Sequence, residues 1–214
     1  MLGERTAMIP RENIMPAQKV LLIRHGETEW SLNGRHTGTT DIPLTENDRN
    51  VAREWKPVLS QLAFELVLTS PMQRARETCE LTGLGQRAEV DNDIREWNYG
   101  DDEGLTAQQI LAKRPSWMIF ADGCPNGEGP SDVQSRVNRV IKKVRVVKGD
   151  VALFSHGHFL RSFVAVWLGL RVQDGSFFLL DPATVSVMSH YRDIPAVKHW
   201  NAPLIHSGTD YPML

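Results

Sequence analysis

Two short motifs hold residue types that do chemistry. Arg24-His25-Gly26-Glu27-Thr28 follows an apolar run, Val20 to Ile23, and Ser155-His156-Gly157-His158 follows another, Val151 to Phe154. Each run has the length and apolar character of a buried strand, and the glycine after it lets the chain turn sharply. A third run, Phe64 to Thr69, ends in Ser70-Pro71 with Arg74 close behind. Open α/β sheets bind ligands in the crevice beyond the carboxyl ends of their strands. Placed there together, Arg24, His25, Arg74 and His156 converge on one point. Two guanidinium forks and two imidazoles around that point suit a tetrahedral dianion, because arginine donates in the geometry that phosphate oxygens accept. The helices starting near Ser70 and Gly157 are expected to add their N-terminal N–H groups to the same anion.

Taken singly, each of these residues is an ordinary surface ion-pair partner; their shared position at strand ends is what makes a site. A metal centre is the other use of paired histidines. His156 and His158 alternate within a turn, no nearby carboxylate cluster completes a ligand set, and two arginines would repel a cation. Neither a metal nor another cofactor is expected.

The elements that must position these residues are legible in outline. Trp30 to Leu44 reads as a long loop, and such loops inside compact domains are usually functional. Thr45 caps a helix predicted over Glu46 to Leu62, with Val51, Trp55, Val58, Leu59 and Leu62 on one face. Ser70 caps, and Pro71 opens, a helix to about Leu84. Val90 and Ile94 lead into Arg95-Glu96-Trp97-Asn98-Tyr99-Gly100, and a short helix begins near Thr106. Residues 107–130, rich in Pro and Gly, read as a lid-like excursion that roofs a cleft. Ser131 caps a helix to about Val147 with an apolar stripe from Val133 to Val144. Gly157 opens the next helix, Phe177–Leu180 and Val185–Met188 read as two paired strands, and past Tyr191 the pattern fades. Strands alternating with helices predict a three-layer α/β/α sandwich with a mainly parallel sheet.

Bulk properties narrow the function classes. The chain has 214 residues, 24 Lys and Arg against 26 Asp and Glu, and a net charge of −2. This length suits one domain, expected over residues 19–205, with a disordered leader at 1–18 and a polar tail at 206–214. Met15 is a second candidate start. No Lys/Arg stripe marks nucleic-acid binding, and no apolar run approaches the roughly 18 residues of a membrane span. Cys79 and Cys124 lack metal or redox spacing, and Cys79 is expected to be a buried, inert thiol. A cytoplasmic protein is expected. Apolar positions on the last strands serve either the core or the face of a homodimer.

The motifs taken together resemble the signature of the histidine phosphatase superfamily, whose fold is phosphoglycerate mutase-like. The resemblance runs from Val20 to about Tyr191. It rests on Arg24-His25-Gly26-Glu27-Thr28, on Ser70-Pro71 with Arg74-Ala75 and Thr78, on Glu96-Trp97-Asn98-Tyr99-Gly100 with Glu103-Gly104, and on Ser155-His156-Gly157-His158. It implies that His25 is a nucleophile that becomes transiently phosphorylated, held among Arg24, Arg74 and His156. It implies that Glu96 is the proton donor. The chemistry is coherent: a neutral imidazole attacks phosphorus, a carboxylic acid protonates the leaving alkoxide, and the resulting carboxylate activates water. Thr28, Thr37 and Gly38 match positions that contact phosphate or substrate. Ser31 stands where the family has a phosphate-contacting Asn, and Gly157 brings the start of a helix to the site.

Trp97 separates this chain from the mutases of the family, which place there a second Arg that helps bind the substrate carboxylate. The sequence around Trp97-Asn98-Tyr99-Gly100, Asp122-Gly123-Cys124 and Phe178-Leu179-Leu180-Asp181 is similar to a bacterial and fungal phosphatase subgroup that includes sedoheptulose bisphosphatase. The resemblance therefore implies a phosphatase for a small phosphorylated metabolite, a sugar phosphate or similar. A phosphoglycerate mutase and a non-catalytic phosphate-binding protein stand as alternatives.

Overall fold

The computed structural model describes residues 17–203. The leader as far as residue 16 and the tail at 206–214 lie outside the described residues. Gln18 is tied down: its Nε2 donates to the carbonyls of Val147 (2.8 Å) and Gly149 (2.9 Å).

In chain order the elements are β1 (Val20–Arg24), α1 (Glu29–Leu32), α2 (Glu46–Glu54), α3 (Lys56–Leu59), β2 (Phe64–Thr69) and α4 (Gln73–Leu81). Next come β3 (Ala88–Val90), α5 (Ala107–Lys113), α6 (Ile119–Asp122), α7 (Pro130–Arg145), β4 (Asp150–Ser155) and α8 (Gly157–Trp167). Strands β5 (Val185–Tyr191) and β6 (Ile194–Ala202) complete the sheet. Its order is β3-β2-β4-β1-β5-β6. The first four strands are parallel, and β5 and β6 are antiparallel to their neighbours.

Alternation along the strands explains the three layers. Leu22, Leu68, Leu153 and Met188 point to one face, where α7 supplies Val133, Val137, Val140 and Val144 and α8 supplies Phe159, Phe163 and Trp167. Leu21, Ile23, Val67, Ala152 and Phe154 point to the other, against Trp55, Leu59 and Cys79. β4 is central and apolar on both sides, as expected of a parallel strand covered on both faces.

Several local boundaries differ from the sequence expectations, each for an identifiable reason. The helix expected over 46–62 divides at Trp55, because Pro57 lacks the N–H that would bond back one turn. The long loop after β1 begins with a helical turn, α1, capped by Thr28. Helix α4 starts at Gln73 rather than Pro71, with Ser70 Oγ accepting from the Met72 N–H at 3.3 Å. Helix α7 starts at Pro130, which suits the first helical position, with Gly129 rather than Ser131 as cap.

Phe177–Leu180 is not a strand. It follows a 3₁₀ segment, and Phe177 and Leu179 are 77% and 73% exposed. Beyond β1, β5 pairs with β6, whose sequence contains Pro195 and no regular alternation and so carries little strand signal. The 107–130 excursion holds α5 and α6, with Ile110, Ile119 and Phe120 buried.

Thr45, expected as a cap from the sequence, accepts from the Asp48 N–H at 3.2 Å. Thr45→Ala is expected to cost about 1 kcal/mol of stability. Urea unfolding should show a lower midpoint at an unchanged slope.

Candidate active site

Register places the functional strand ends together. Arg24 lies opposite Ser155 in the β1–β4 pair, and Thr69 lies opposite Phe154 in the β2–β4 pair. The His25 N–H bonds the Ser155 carbonyl and the Ser70 N–H bonds the Phe154 carbonyl, each at 3.0 Å. His25, Ser70 and His156 thus leave the sheet side by side at the carboxyl edge.

The protonation pattern follows from which partners can only donate or only accept. His25 Nδ1 lies 2.6 Å from the Gly26 carbonyl, an acceptor, so Nδ1 carries the proton. Arg74 Nε, a donor, sits 3.3 Å from His25 Nε2 and 3.2 Å from His156 Nδ1, so both of those nitrogens present lone pairs. His156 Nε2 then donates to Ser70 Oγ at 2.7 Å. One N–H shared between two acceptors at these distances binds each weakly, which leaves the His25 Nε2 lone pair available. Burial, and then the charges of Arg74 and Arg24, hold the His25 pKa well below its ordinary value. Burial and Arg74 do the same to His156. Both rings are neutral at pH 7.

Arg74 is wholly buried. Its Nη1 donates to the Thr40 carbonyl, and its Nη2 donates to the carbonyls of Thr37 and Gly38. The loop at 33–41 therefore holds the arginine, and Glu103 holds the loop by accepting from the N–H groups of Gly38 and Thr40, each at 2.9 Å. A Cβ on Gly38 would lie 2.3 Å from the Trp97 carbonyl oxygen, so only glycine fits. Arg24 Nη1 donates to the Leu180 carbonyl, while its Nε is buried with no partner. A Cβ on Gly157 would come within 3.2 Å of the Arg24 guanidinium carbon, so this glycine lets the cation lie against the start of α8.

Glu96 occupies the helix N-terminus that was expected to serve the anion. Its Oε1 accepts from the N–H groups of Trp97 (3.0 Å) and Phe159 (2.9 Å), and its Oε2 accepts from that of His158 (3.0 Å). The start of α8 thus orients a carboxyl, a favourable use of its dipole. Oε2, with one donor against two, keeps more capacity for a further partner. Arg136 builds the segment under Glu96: it donates to the carbonyls of Asp93 (2.8 Å) and Arg95 (2.9 Å) and pairs with Glu128 at 2.7 Å.

These groups border a cavity of about 190 Å³ whose walls include Arg24, His25, Thr28, Ser31, Thr37, Glu96 and Gly157. Arg74 and His156 do not line it; they stand buried behind His25. Gly38 does not line it either and acts through Arg74. The Thr28 and Ser31 hydroxyls are engaged with each other's backbone in the α1 capping box. Trp97, expected beside the cage, lies in the core with its ring 5.7 Å from Phe120. No residue of 107–130 lines the cavity. No group of three potential metal ligands occurs among the described residues.

The sequence reading missed a second wall made by Arg35, His36, Tyr99, His158 and Arg161. Tyr99 OH and His158 Nδ1 are 2.7 Å apart, and the His36 ring stacks on that of His158 at 6.0 Å. Arg161 follows Gly157 by four positions on α8, a spacing that puts both on one helix face. That periodicity was the available signal.

Comparison with known proteins fits this geometry. The profile of the histidine phosphatase superfamily (branch 1) matches residues 20–203. An acid phosphatase of Mycobacterium tuberculosis is 37% identical over 173 residues, covering 79% of this chain and 85% of that protein. The sedoheptulose 1,7-bisphosphatase of Saccharomyces cerevisiae is 36% identical over 187 residues, covering 72% and 69%. The solved structure of a Mycobacterium tuberculosis open-reading-frame product superposes with a TM-score of 0.82 at 33% identity, covering 87% of this chain and 98% of that one.

The buried neutral imidazoles carry a pH signature. Burial, and then the charge of Arg161, keeps the His158 pKa well below its ordinary value too. Between these depressed pKa values and about 6.5, the unfolded chain binds more protons than the folded one. Stability is therefore full above about pH 6.5 and falls with acidification, by up to about 1.4 kcal/mol per pH unit for each histidine. Denaturant unfolding from pH 7.5 to 5 should show this loss, and His158→Gln should reduce its slope.

Proposed function

We propose that this chain, which belongs to the histidine phosphatase superfamily, hydrolyses a small phosphomonoester, a sugar phosphate or similar metabolite, through a phosphohistidine on His25. The observation that carries this reading is the pairing of a neutral His25, its Nε2 unprotonated and held only by a long, shared hydrogen bond from Arg74, with the Glu96 carboxyl on the wall of one small cavity. The volume is below the ~300–1,000 Å³ of drug-sized ligand sites, which favours a small substrate.

His25 Nε2 attacks phosphorus, and the P–O bond to the alcohol breaks. Arg24 offers its unpaired Nε–H to a phosphoryl oxygen, and the Arg74 and His156 unit behind His25 stabilises the added charge. Glu96 delivers a proton to the departing oxygen from Oε2. The carboxylate left behind takes a proton from water, whose oxygen attacks the phosphohistidine and frees inorganic phosphate and His25. Every step uses groups of the chain, the substrate and one water.

The reading is supported by the phosphatase names of the acid phosphatase and the sedoheptulose bisphosphatase that the chain resembles. A mutase is less favoured, because Trp97, in place of the mutases' carboxylate-binding Arg, is buried in the core. Two free cysteines and the lack, among described residues, of a helix able to cross a membrane are compatible with the cytoplasmic setting we infer.

The wild type should hydrolyse an aryl phosphate, and His25→Ala should lose that activity by several orders of magnitude. Glu96→Ala, given the same activated leaving group, should accumulate a phosphoenzyme that acid destroys. Label that survives acid would place the nucleophile on Ser or Thr instead. Conversion of 3-phosphoglycerate to 2-phosphoglycerate in the presence of the bisphosphate would mark a mutase.

A further inference from the structure

The cavity carries more positive charge than one phosphoryl group needs. Its wall holds Arg24, Arg35 and Arg161 against one carboxylate, Glu96, with Arg74 directly behind. Arg24 and Arg74 flank His25 and serve the phosphoryl group under attack. Arg35 and Arg161 are surplus to that task.

Arg161 is held as a residue awaiting an anion would be. Its Nε and Nη2 reach only the carbonyls of Gly175 and Ser176, at 3.3 and 3.4 Å, the long end of hydrogen bonding. Its guanidinium lies 4.6 Å over the Phe120 ring, which fixes the plane of the fork without neutralising it. Among the described residues no carboxylate lies within ion-pair distance of Arg161 or Arg35, whereas Arg49, Arg114, Arg136, Arg139 and Arg171 each have one. Burying a cation without a counter-ion is costly, and a half-buried arginine on a cavity wall is relieved by an anionic ligand.

Gly157, against which Arg24 lies, and Arg161 are four residues apart on α8, so both cations meet the cavity from one face of that helix.

We propose that Arg161, assisted by Arg35, forms a second anion subsite, so that the substrate is a small metabolite bearing a second phosphate or a carboxylate besides the phosphate that is cleaved. The proposal rests on the phosphatase reading and names the substrate class for the same cavity. It also modifies what Trp97 implied: the cation lost beside Glu96 relative to the mutases has counterparts on α8 and the 33–41 loop.

The test compares kcat/KM of the wild type and Arg161→Gln for fructose 6-phosphate, fructose 1,6-bisphosphate and 3-phosphoglycerate. The wild type is expected to favour one of the doubly anionic compounds over fructose 6-phosphate by about tenfold or more. Arg161→Gln should shrink that preference by about tenfold to a hundredfold, mainly through KM, and Arg161→Lys should restore part of it. A preference for the bisphosphate assigns the subsite to phosphate, and one for phosphoglycerate assigns it to carboxylate. Arg35→Gln, on an exposed loop, provides a second variant should Arg161→Gln fail to fold. Wild-type turnover of fructose 6-phosphate with no preference overturns this inference alone, as does an equal loss on all three compounds in the variants. Failure of the wild type on all three and on an aryl phosphate overturns the phosphatase reading beneath it.

Discussion

Arg74 has no exposed surface and no carboxylate within ion-pair distance among the described residues, yet it stays charged. Burial lowers its pKa, but from so high a starting point that the guanidinium remains protonated. Its position is tolerable because three backbone carbonyls and two imidazole lone pairs surround it. Each of those acceptors then has to be held in turn. The carbonyls belong to a loop that Glu103 ties from beneath, the imidazoles hang from two neighbouring parallel strands, and Ser70 from a third fixes the far side of His156. One buried cation thus dictates the conformation of a loop, the tautomers of two histidines and the orientation of the seryl side chain that follows β2.

The parallel sheet makes this arrangement affordable. Because β1, β4 and β2 end at the same level, their next residues lie side by side without any long-range chain excursion. The helices that follow begin at the same edge, and α8 points its free N–H groups at it. Those groups are taken by Glu96 instead of by the anion. The consequence is a division of labour: side-chain cations and imidazoles gather around His25, and backbone donors hold the Glu96 carboxyl. A helix terminus that directly bound phosphate would leave the carboxyl without fixed partners.

Much of this was legible in the sequence, and the limits have physical causes. Arg24, His25, Arg74 and His156 stood out because apolar runs followed by Gly or Pro mark strand ends, and strand ends in a parallel sheet converge; Glu96 was named through the family resemblance alone. The sheet order and β6 did not stand out, because pairing order is set by tertiary contacts and Ile194–Ala202 carries Pro195 and no regular alternation. Ser70 was expected to cap a helix and instead binds His156, a choice set by a neighbouring strand that local sequence cannot reveal. Trp97 was placed beside the cage by its sequence position next to Glu96. Adjacent residues in an extended segment point opposite ways, so Glu96 facing the cavity sends Trp97 into the core. Thr28 and Ser31 were named because they match phosphate-contacting positions of the family, and their hydroxyls are spent largely on the local capping box.

The residues that escaped notice share a property: none follows a strand directly. Tyr99, His158 and Arg161 reach the cavity from a loop and from one face of α8, and His36 from the loop that holds Arg74. The inner cage is fixed by strand geometry, where a shift of any residue disturbs the two histidines and the buried arginine together. The outer wall is carried by a helix face and two loops, and its rings pack on one another: Tyr99 OH meets His158 Nδ1 at 2.7 Å, and the His36 ring lies against both. The inner cage and the outer wall are therefore built from different parts of the fold.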